Sequence, residues 1–246
     1  MAIYRIYPEQ DTFISSERTG SNAGRDEIVE VGGFPVLEEG KASRILTQYK
    51  LSEIQDTINN KVSGLFSASI NYYIAEATEL KENISLEAWP ASVSWDNGLG
   101  KYHDTPSNNS GTTWKHRSDG ATNAWSVSSY AAYTTGSYSG SSSGEAAGGG
   151  TWYTGSGGVN YETTQSISLY QDTDINIDVT KGITAIYSES ISNNGFIIKL
   201  SDSYEFLPTA SMTLQYYSRD TNTIYAPYLE FRWDESSYIT GSLSVL

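Results

Sequence analysis

The chain of 246 residues contains no cysteine, and charged residues make up only 18% of it. Without cysteine there is no disulfide, no thiolate nucleophile and no thiolate-bound metal, and assembly in a reducing cytosol is expected. Long apolar runs are also missing, since no stretch approaches the ~20 continuous apolar residues that cross a bilayer. These absences exclude disulfide scaffolds, thiol enzymes and helical membrane proteins.

Positive charge is scarce, with 15 Lys and Arg residues against 29 Asp and Glu residues and a net charge of -14. Such a surface repels a phosphate backbone, so no nucleic-acid partner is expected. Histidine occurs only at His103 and His116, in a turn-rich stretch, and we interpret both as solvated loop residues. Because nucleophilic catalysis needs a base beside the nucleophile, the sequence predicts a protein that is not an enzyme.

The first residues, MAIYRIYPEQDTFIS, show no basic region followed by an apolar run. We therefore expect no signal peptide, and a fold that begins at about Ile3. No membrane insertion is expected, and the chain is expected to be made in the cytoplasm of its host.

Aromatic residues are abundant instead, with 19 tyrosines and six tryptophans, and these residue types favour strands. In LFSASINYYIA, apolar residues alternate with polar ones over 66–74, which predicts one long strand with a buried face. The same alternation predicts strands near 84–88, 196–200, 212–216 and 229–233. The six prolines lie at the edges of these runs, where they do not interrupt a ladder. The sequence therefore predicts an all-β fold.

Two short helices are also predicted. LSEIQDTI places apolar residues at helical spacing behind Ser52, which we expect to cap the helix. DVTKGITAIYSES shows a similar pattern, with Thr180 or Asp178 as the cap. Both helices would add only a small helical content to the strands.

The stretch GSYSGSSSGEAAGGGTWYTGSGG, residues 136–158, raises the question of a linker between two domains. About six strands are predicted before it and about five after it, and neither half has the composition of a self-sufficient domain. We therefore predict one jelly-roll β-sandwich domain of two antiparallel sheets over residues 1–233, with a long Gly/Ser/Tyr-rich loop at about 126–158. Residues 234–246 are predicted to be a C-terminal extension that can contact a partner.

Aromatic side chains occur at irregular spacing in and around this loop. Rings separated by small polar residues are typical of sugar-binding and paratope surfaces. We therefore predict contacts with a ligand or partner at Trp125, Tyr130, Tyr133, Tyr138, Trp152 and Tyr153. The alternative is that these rings fold back over the sandwich and tie down the loop. Elsewhere, Trp95 and Trp114 are expected to be structural and Trp89 to lie in the core.

Three carboxylates alternate in YQDTDINID, at Asp172, Asp174 and Asp178. On a strand they would face one way and supply the hard oxygen ligands that Ca²⁺ takes, although no EF-hand loop or calcium-binding nonapeptide is present. The alternative is that they are solvated carboxylates that discourage pairing at a strand edge. We assign no metal ligand and predict no cofactor, with a structural Ca²⁺ left open.

Four stretches carry a family resemblance. They are DTFISSERTGSNAGRDEIVEVGG (11–33), SRILTQYKLSEI (43–54), VSWDNGLGKYHDTPSNNSGTTW (93–114), and IDVTKGITAIYSESISNNGFIIKL running on to YYSRDTNTIYAPYLEFRW (177–233). In order and spacing they resemble the DNRLRE family of jelly-roll β-sandwiches, close kin of carbohydrate-binding modules, which also occurs in bacteriophage structural proteins. The resemblance spans nearly the whole chain, although the hexapeptide that gives the family its name is absent.

The shared pieces also have local interpretations of their own. Asn22 and Gly24 in SNAG predict a tight turn with positive φ. Gly195 in NNG can end the second helix and start a strand. APYLEFRW is interpreted as a closing strand, so we assign all these pieces to the scaffold.

The resemblance implies a non-catalytic bacteriophage structural protein, located in the virion as a tail, neck, fibre or capsid-associated subunit. Its expected partners are other virion proteins in a symmetric assembly, with a host-surface glycan as a further candidate. The alternating residues of DESSYITGSLSVL are expected to allow strand addition to another subunit. The alternatives are a carbohydrate-binding module and, third, a polysaccharide-degrading enzyme on a β-sandwich.

Overall fold

In the computed structural model, the chain forms a β-sandwich of two antiparallel sheets accompanied by short helices, which confirms the predicted all-β fold. The structure describes residues 1–34, 41–78, 83–119, 123–125, 148–156, 158–168, 170, 173–205 and 212–235. Residues 126–147 of the predicted loop lie outside the described residues, as do residues 236–246 of the predicted extension.

The smaller sheet has four strands. Their spatial order is β1 (Ala2–Ile6), β14 (Tyr228–Trp233), β5 (Phe66–Tyr72) and β11 (Ile175–Asp178). Ala2 lies opposite Trp233, and Leu229 lies opposite Ile70. Every second side chain points to one face of a strand, and in this sheet Ile70, Ile177 and Leu229 are fully buried on the core face.

The larger sheet follows the order β10 (Thr163–Ile167), β7 (Ile84–Pro90), β12 (Phe196–Leu200), β4 (Lys41–Gln48), β3 (Ile28–Phe34), β13 (Met212–Tyr217) and β6 (Ile74–Thr78). A further strand, β2 (Gln10–Ser15), also pairs with β4. The short strands β8 (Gly155–Ser156) and β9 (Val159–Asn160) pair only with each other among the described residues.

Both sheets combine strands from the two sides of the Gly/Ser stretch. In the smaller sheet, β14 lies between β1 and β5, and in the larger sheet β12 lies between β7 and β4. Likewise, β13 lies between β3 and β6. Neither the strands before the stretch nor those after it therefore form either sheet alone.

The single strand predicted over 66–74 is divided at Tyr73. β5 ends before this residue and β6 begins after it, and the two strands belong to different sheets. At the crossing, the N–H of Ile74 donates a hydrogen bond to Oδ1 of Asp174 (2.7 Å). The prediction of one strand was wrong because Ile74 packs against the same core as β5, so the alternation continues through the bend.

Both predicted helices are present, as α1 (Leu51–Asn60) and α2 (Thr180–Tyr187), together with a single turn, α3 (Asp202–Glu205). The predicted Ser52 cap is wrong, since Lys50 occupies the N-cap and Ser52 lies inside the first turn. Both predicted caps of α2 are wrong as well, since Val179 occupies the N-cap and makes no side-chain cap hydrogen bond. Asp178, one residue earlier, accepts the N–H of Thr180 at Oδ1 (2.8 Å). A large apolar cluster, the main core, lies between the two sheets and includes Ile70, Leu86 and Phe231. Both helices pack apolar residues against it.

Asn22 connects two loops through its buried amide. Its Nδ2 donates to the carbonyl oxygens of Asn97 (2.8 Å) and Thr112 (2.7 Å). Its Oδ1 accepts the N–H groups of Gly24 (3.1 Å) and Gly100 (2.9 Å), so all four hydrogen-bonding positions of the amide are used. The predicted positive φ is wrong for both Asn22 and Gly24. Glycine is required at 24 for space instead, because a Cβ there would lie 2.0 Å from the Asn97 carbonyl oxygen.

Asp11 of β2 has a buried carboxyl group. Its Oδ2 accepts hydrogen bonds from the hydroxyl of Tyr72 (3.3 Å) and from the N–H of Arg219 (2.9 Å), so it connects the two sheets and the turn after β13. Its Oδ1 has no hydrogen-bond partner among the described residues. Burial raises the pKa of Asp11 to about 7, against the opposing effect of the Arg219 N–H.

Replacement of Asp11 with Asn is expected to flatten the dependence of stability on pH. The folded chain keeps the Asp11 proton up to about pH 7, whereas an unfolded carboxyl loses it near pH 4. The unfolding free energy of the wild type should therefore fall as the pH rises between these values, by roughly 4 kcal/mol in all. Asp11→Asn should remove this component while the exposed Asp119→Asn should keep it. Urea titrations across this range measure the slopes, and equal slopes for wild type and Asp11→Asn would contradict the assignment.

Candidate functional site

A second apolar cluster, rich in tryptophan, covers the outer face of the larger sheet. This tryptophan cluster consists of Ile14, Ala42, Leu46, Trp89, Ala91, Trp95, Trp114, Trp125, Trp152 and Ile197. The sheet therefore buries side chains on both faces, and all five residues of β12 are buried. The expectation that Trp89, Trp95 and Trp114 are structural is confirmed, since all three rings are buried.

Two of the six predicted contact residues belong to this cluster. Trp125 and Trp152 are only 5% and 1% exposed. The Trp125 indole donates to the Thr113 carbonyl oxygen (3.1 Å), and the Trp152 ring centroid lies 6.2 Å from that of Trp89. Tyr153 is half-buried and packs against the main core. The other three predicted residues, Tyr130, Tyr133 and Tyr138, lie outside the described residues, and ligand contact at this set stays a prediction.

Four charged side chains lie beneath the tryptophan cluster. Arg44 and Glu205 form a fully buried bidentate pair, with Nε to Oε1 at 2.7 Å and Nη2 to Oε2 at 2.9 Å. Nζ of Lys199 lies 3.1 Å from Oε2 of Glu87 and 3.8 Å from Oε2 of Glu205. Two positive and two negative charges therefore neutralise each other, which is the condition under which a protein interior tolerates ions.

Arg44 also binds the backbone near residue 148, where the described residues begin again after the gap at 126–147. Nη1 donates to the Gly149 carbonyl oxygen (2.6 Å), and the Gly149 N–H donates to the Trp114 carbonyl oxygen (2.8 Å). The guanidinium carbon lies 5.0 Å from the Trp114 ring centroid and 5.4 Å from that of Trp152, within cation–π distance. Gly149 has a φ of +79°, and a Cβ there would lie 2.6 Å from Nη1 of Arg44. Glycine thus allows the backbone to reach the guanidinium.

Replacement of Arg44 with Met is expected to lower the unfolding free energy by about 3–5 kcal/mol, because it leaves Glu205 buried without its bidentate partner. Arg25→Met is the matched control, since Arg25 is half-exposed and its Nη1 lies 3.8 Å from Asp220. The control should lose at most about 1 kcal/mol. Denaturant titrations of both variants measure the difference, and similar small losses would show that the buried pair contributes little to stability.

Four tyrosines from separate parts of the chain meet where it crosses between the sheets, two in strands and two in connections. This tyrosine surface consists of Tyr73, Tyr217, Tyr225 and Tyr228. The rings of Tyr217 and Tyr225 are stacked, with centroids 5.6 Å apart, and Tyr73 meets Tyr225 edge-on at 5.2 Å. The hydroxyl oxygens of Tyr73 and Tyr228 are 3.4 Å apart, and the guanidinium carbon of Arg5 lies 4.3 Å from the Tyr228 ring centroid. Burial raises the pKa of Tyr228 to about 12.

The tyrosine surface is accessible at its outer ring. Tyr225 is 44% exposed, and the adjacent Ile224 is 89% exposed. A ring presented beside hydroxyl groups and a guanidinium can stack on the apolar face of a sugar or receive a partner's side chain. Sequence reasoning missed this site because Tyr73 and Tyr228 are far apart in the chain. The one local signal is the pair Tyr225 and Tyr228 in IYAPY, a stretch assigned to the scaffold from the sequence.

A separate narrow crevice contains two carboxylates. Its lining residues are Phe13, Asp26, Ile28, Glu30, Tyr102, His103 and Gln215. Burial raises the pKa of both Asp26 and Glu30. Asp26 accepts a hydrogen bond from the N–H of Tyr102 (2.8 Å), and Glu30 accepts one from the hydroxyl of Ser43 (2.8 Å). Each carboxylate therefore connects the region of β3 to a neighbouring segment, which is a structural role.

Two of the three carboxylates considered for Ca²⁺ lie among the described residues, and both have structural hydrogen bonds. Asp174 and Asp178 each accept a hydrogen bond from a backbone N–H, of Ile74 and Thr180 respectively, and Asp172 lies outside the described residues. Across the described ranges, no group of three or more His, Asp or Glu side chains is placed to hold a metal ion. Each of the two described carboxylates thus has a structural hydrogen bond to the backbone.

Comparison with known proteins adds no family assignment. No family model matches this chain, and no curated protein matches it. Among the described residues, no helix is both long and apolar enough to cross a membrane. The resemblance to the DNRLRE family therefore rests on the four sequence stretches and stays a prediction.

Proposed function

We propose that the protein is a non-catalytic structural subunit of a bacteriophage particle, attached to the tail, neck, fibre or capsid. The observation that carries the proposal is the β-sandwich, which agrees with the fold implied by the resemblance to phage members of the DNRLRE family. Because one fold serves many functions, the connection with phages comes from the sequence resemblance and not from the fold alone.

The arrangement of the titratable residues supports a non-catalytic role. Asp11 holds the two sheets together, and the crevice carboxylates Asp26 and Glu30 hold the region of β3 to its neighbours. Of the two histidines, His103 is exposed, whereas His116 is half-buried and its carbonyl oxygen accepts the hydroxyl of Thr112 (3.1 Å). The three carboxyl groups whose pKa burial raises, those of Asp11, Asp26 and Glu30, therefore all have structural hydrogen-bond partners.

The expected partners are other proteins of the virion, in a symmetric assembly. A net charge of -14 discourages indiscriminate association, so specific contacts have to come from defined surfaces. The tyrosine surface is one such surface, because it presents an exposed aromatic ring beside a half-exposed arginine. Tyrosine and arginine are enriched at the centres of protein interfaces.

Mass spectrometry of purified phage particles tests this function. Particles from the organism that encodes the chain should contain it in several copies, in proportion to known capsid or tail proteins across a density gradient. If the chain remains in the soluble fraction while the particles are intact, the structural role is wrong. Release of oligosaccharides from capsule or cell-wall extracts by the purified chain would favour the enzyme alternative instead.

A carbohydrate-binding module is the second candidate, and the tyrosine surface is the observation that favours it. The stacked rings of Tyr217 and Tyr225 offer a flat aromatic face, and the hydroxyl of Tyr73 lies at the same site. Sugar sites combine an aromatic platform with a few polar groups that fix the orientation of the ring. A glycan would thus be bound at the corner between the two sheets.

Glycan-array binding tests this second function with matched tyrosine variants. Tyr225→Ala should weaken binding at least about tenfold, which corresponds to about 1.4 kcal/mol, because it removes the exposed stacking ring. Tyr170→Ala is the control, since Tyr170 is 92% exposed and lies outside the tyrosine surface. Glycan binding that both variants retain, but that is lost on changing Tyr130, Tyr133 or Tyr138, would place the site in the loop predicted from the sequence.

A further inference from the structure

The outer edge of the smaller sheet is open at β1. In the part of the chain that the structure describes, β1 pairs with β14 on one side and with no strand on the other. An edge of this kind presents a row of backbone donors and acceptors that another strand can use. Folded proteins normally protect such edges with charges, bulges or covering segments.

The other sheet edges carry such protection. Between β10 and β11, Gln165 donates from Nε2 to the Asp174 carbonyl oxygen (2.9 Å) and accepts at Oε1 from the Asn176 N–H (2.8 Å), so these two edges are bridged. β6 carries the exposed Glu76, and its pairing with β13 contains a bulge. β2 is buried over nearly its whole length. β1 also carries a charge, the half-exposed Arg5, which is paired with Glu230 of the neighbouring β14, and Nζ of Lys61 lies 4.6 Å from the Tyr4 ring centroid. β1 is distinguished instead by the exposed apolar side chains around it.

Exposed apolar side chains also concentrate around β1. Of the ten large apolar residues that are exposed in the described ranges, four lie within the first seven residues: Met1, Ile3, Tyr4 and Tyr7. A fifth, Leu65, is 95% exposed and lines a groove together with Met1 and Trp233. Several exposed apolar side chains around an open strand edge are typical of a protein interaction site.

The chain itself supplies a segment suited to this edge. Residues 236–246, outside the described residues, read SSYITGSLSVL, in which Ile239, Leu243 and Val245 alternate with serine or threonine. Such alternation favours a strand with one apolar face. Eleven residues at about 3.3 Å each can span roughly 36 Å, which exceeds the length of the five-residue β1.

The position of β14 indicates which copy of residues 236–246 can reach the β1 edge, and it favours the segment of a second copy over that of the same chain. β14 ends at Trp233, opposite Ala2, so the chain leaves the sheet beside the start of β1. To reach the open edge of its own β1, the segment would have to cross over the end of that strand and enclose β1 between two consecutive parts of the chain. Strands that follow one another usually become direct neighbours, so this path is disfavoured. A second copy meets no such restriction.

We propose that the β1 edge of one copy accepts residues 236–246 of a second copy as an added strand. Main-chain hydrogen bonds would supply the affinity, and the apolar face of the added strand would cover exposed side chains such as Ile3. Because each copy has one donor segment and one acceptor edge, the contact links copies head to tail or exchanges segments within a dimer. This contact depends on the proposed function only in one respect, that the copies it links would belong to a phage particle.

Sedimentation velocity of the full-length chain over a range of concentrations tests the contact. The wild type should associate, and Leu243→Asp in the donor segment should weaken association at least about tenfold, because a charge then replaces a covered apolar side chain. Ser244→Asp is the matched control and should associate normally. For the acceptor edge, Ile3→Asp should weaken association, whereas Val159→Asp, at a residue of similar exposure in β9, should not.

A mixing experiment separates the two partners of the contact. Leu243→Asp keeps an intact acceptor edge and Ile3→Asp keeps an intact donor segment, so a mixture should form dimers although neither variant associates alone. A monomeric wild type, equal effects of Leu243→Asp and Ser244→Asp, or no dimer in the mixture would each overturn the proposal. A monomer whose melting temperature falls on Leu243→Asp would identify the chain's own segment as the occupant, which also overturns it. These measurements use the purified chain, so they are independent of whether it is found in phage particles.

Discussion

The larger sheet buries both of its faces, and no second sheet of the described residues covers the outer one. Apolar side chains of β2, β4, β7 and β12 on that face have to be removed from water by loops. Tryptophans at Trp95, Trp114, Trp125 and Trp152 supply the area, since a large ring covers several strand residues at once. The loops that carry them are held in turn by hydrogen bonds such as those of Asn22. Long irregular segments thus become part of the folded core.

Buried ions complete this arrangement. Arg44 and Lys199 project from neighbouring strands toward the indole rings, and Glu87 and Glu205 neutralise them. Replacing both partners with apolar residues of similar volume can be neutral or stabilising in other proteins, so the ions are weak evidence for stability as such. Their directional bonds do fix where residue 149 lies relative to the sheet. The ion pairs therefore define the position of the loop ends more than they strengthen the sandwich.

Much of the fold could be predicted from the sequence because strand alternation and helix periodicity are local signals. The strands at 84–90, 196–200, 212–217 and 228–233 and both helices follow them. The bend at Tyr73 could not be predicted, since its neighbours keep one face in the same core. Nor could the buried ions, because a lysine or arginine in a sequence is normally exposed. The tyrosine surface depends on contacts between segments far apart in the chain, and no local pattern indicates these contacts.

Two of the accessible surfaces are continuous with each other. Arg5 belongs to β1, and its guanidinium lies over Tyr228 of the tyrosine surface. Its Nε also pairs with Glu230 in β14, at 2.8 Å, so an ion pair lies between the open edge and the aromatic rings. A partner bound at one of these surfaces would therefore contact or adjoin the other.

The placement of β14 between β1 and β5 has a consequence for synthesis. β1 is the first of the described strands to be made, yet its only strand partner among the described residues is made after more than two hundred further residues. Until then, both β1 and one side of β5 lack their neighbour, and the smaller sheet cannot close. The nascent chain thus exposes unpaired β-edges until β14 is made, the condition under which aggregation competes with folding and chaperones become important.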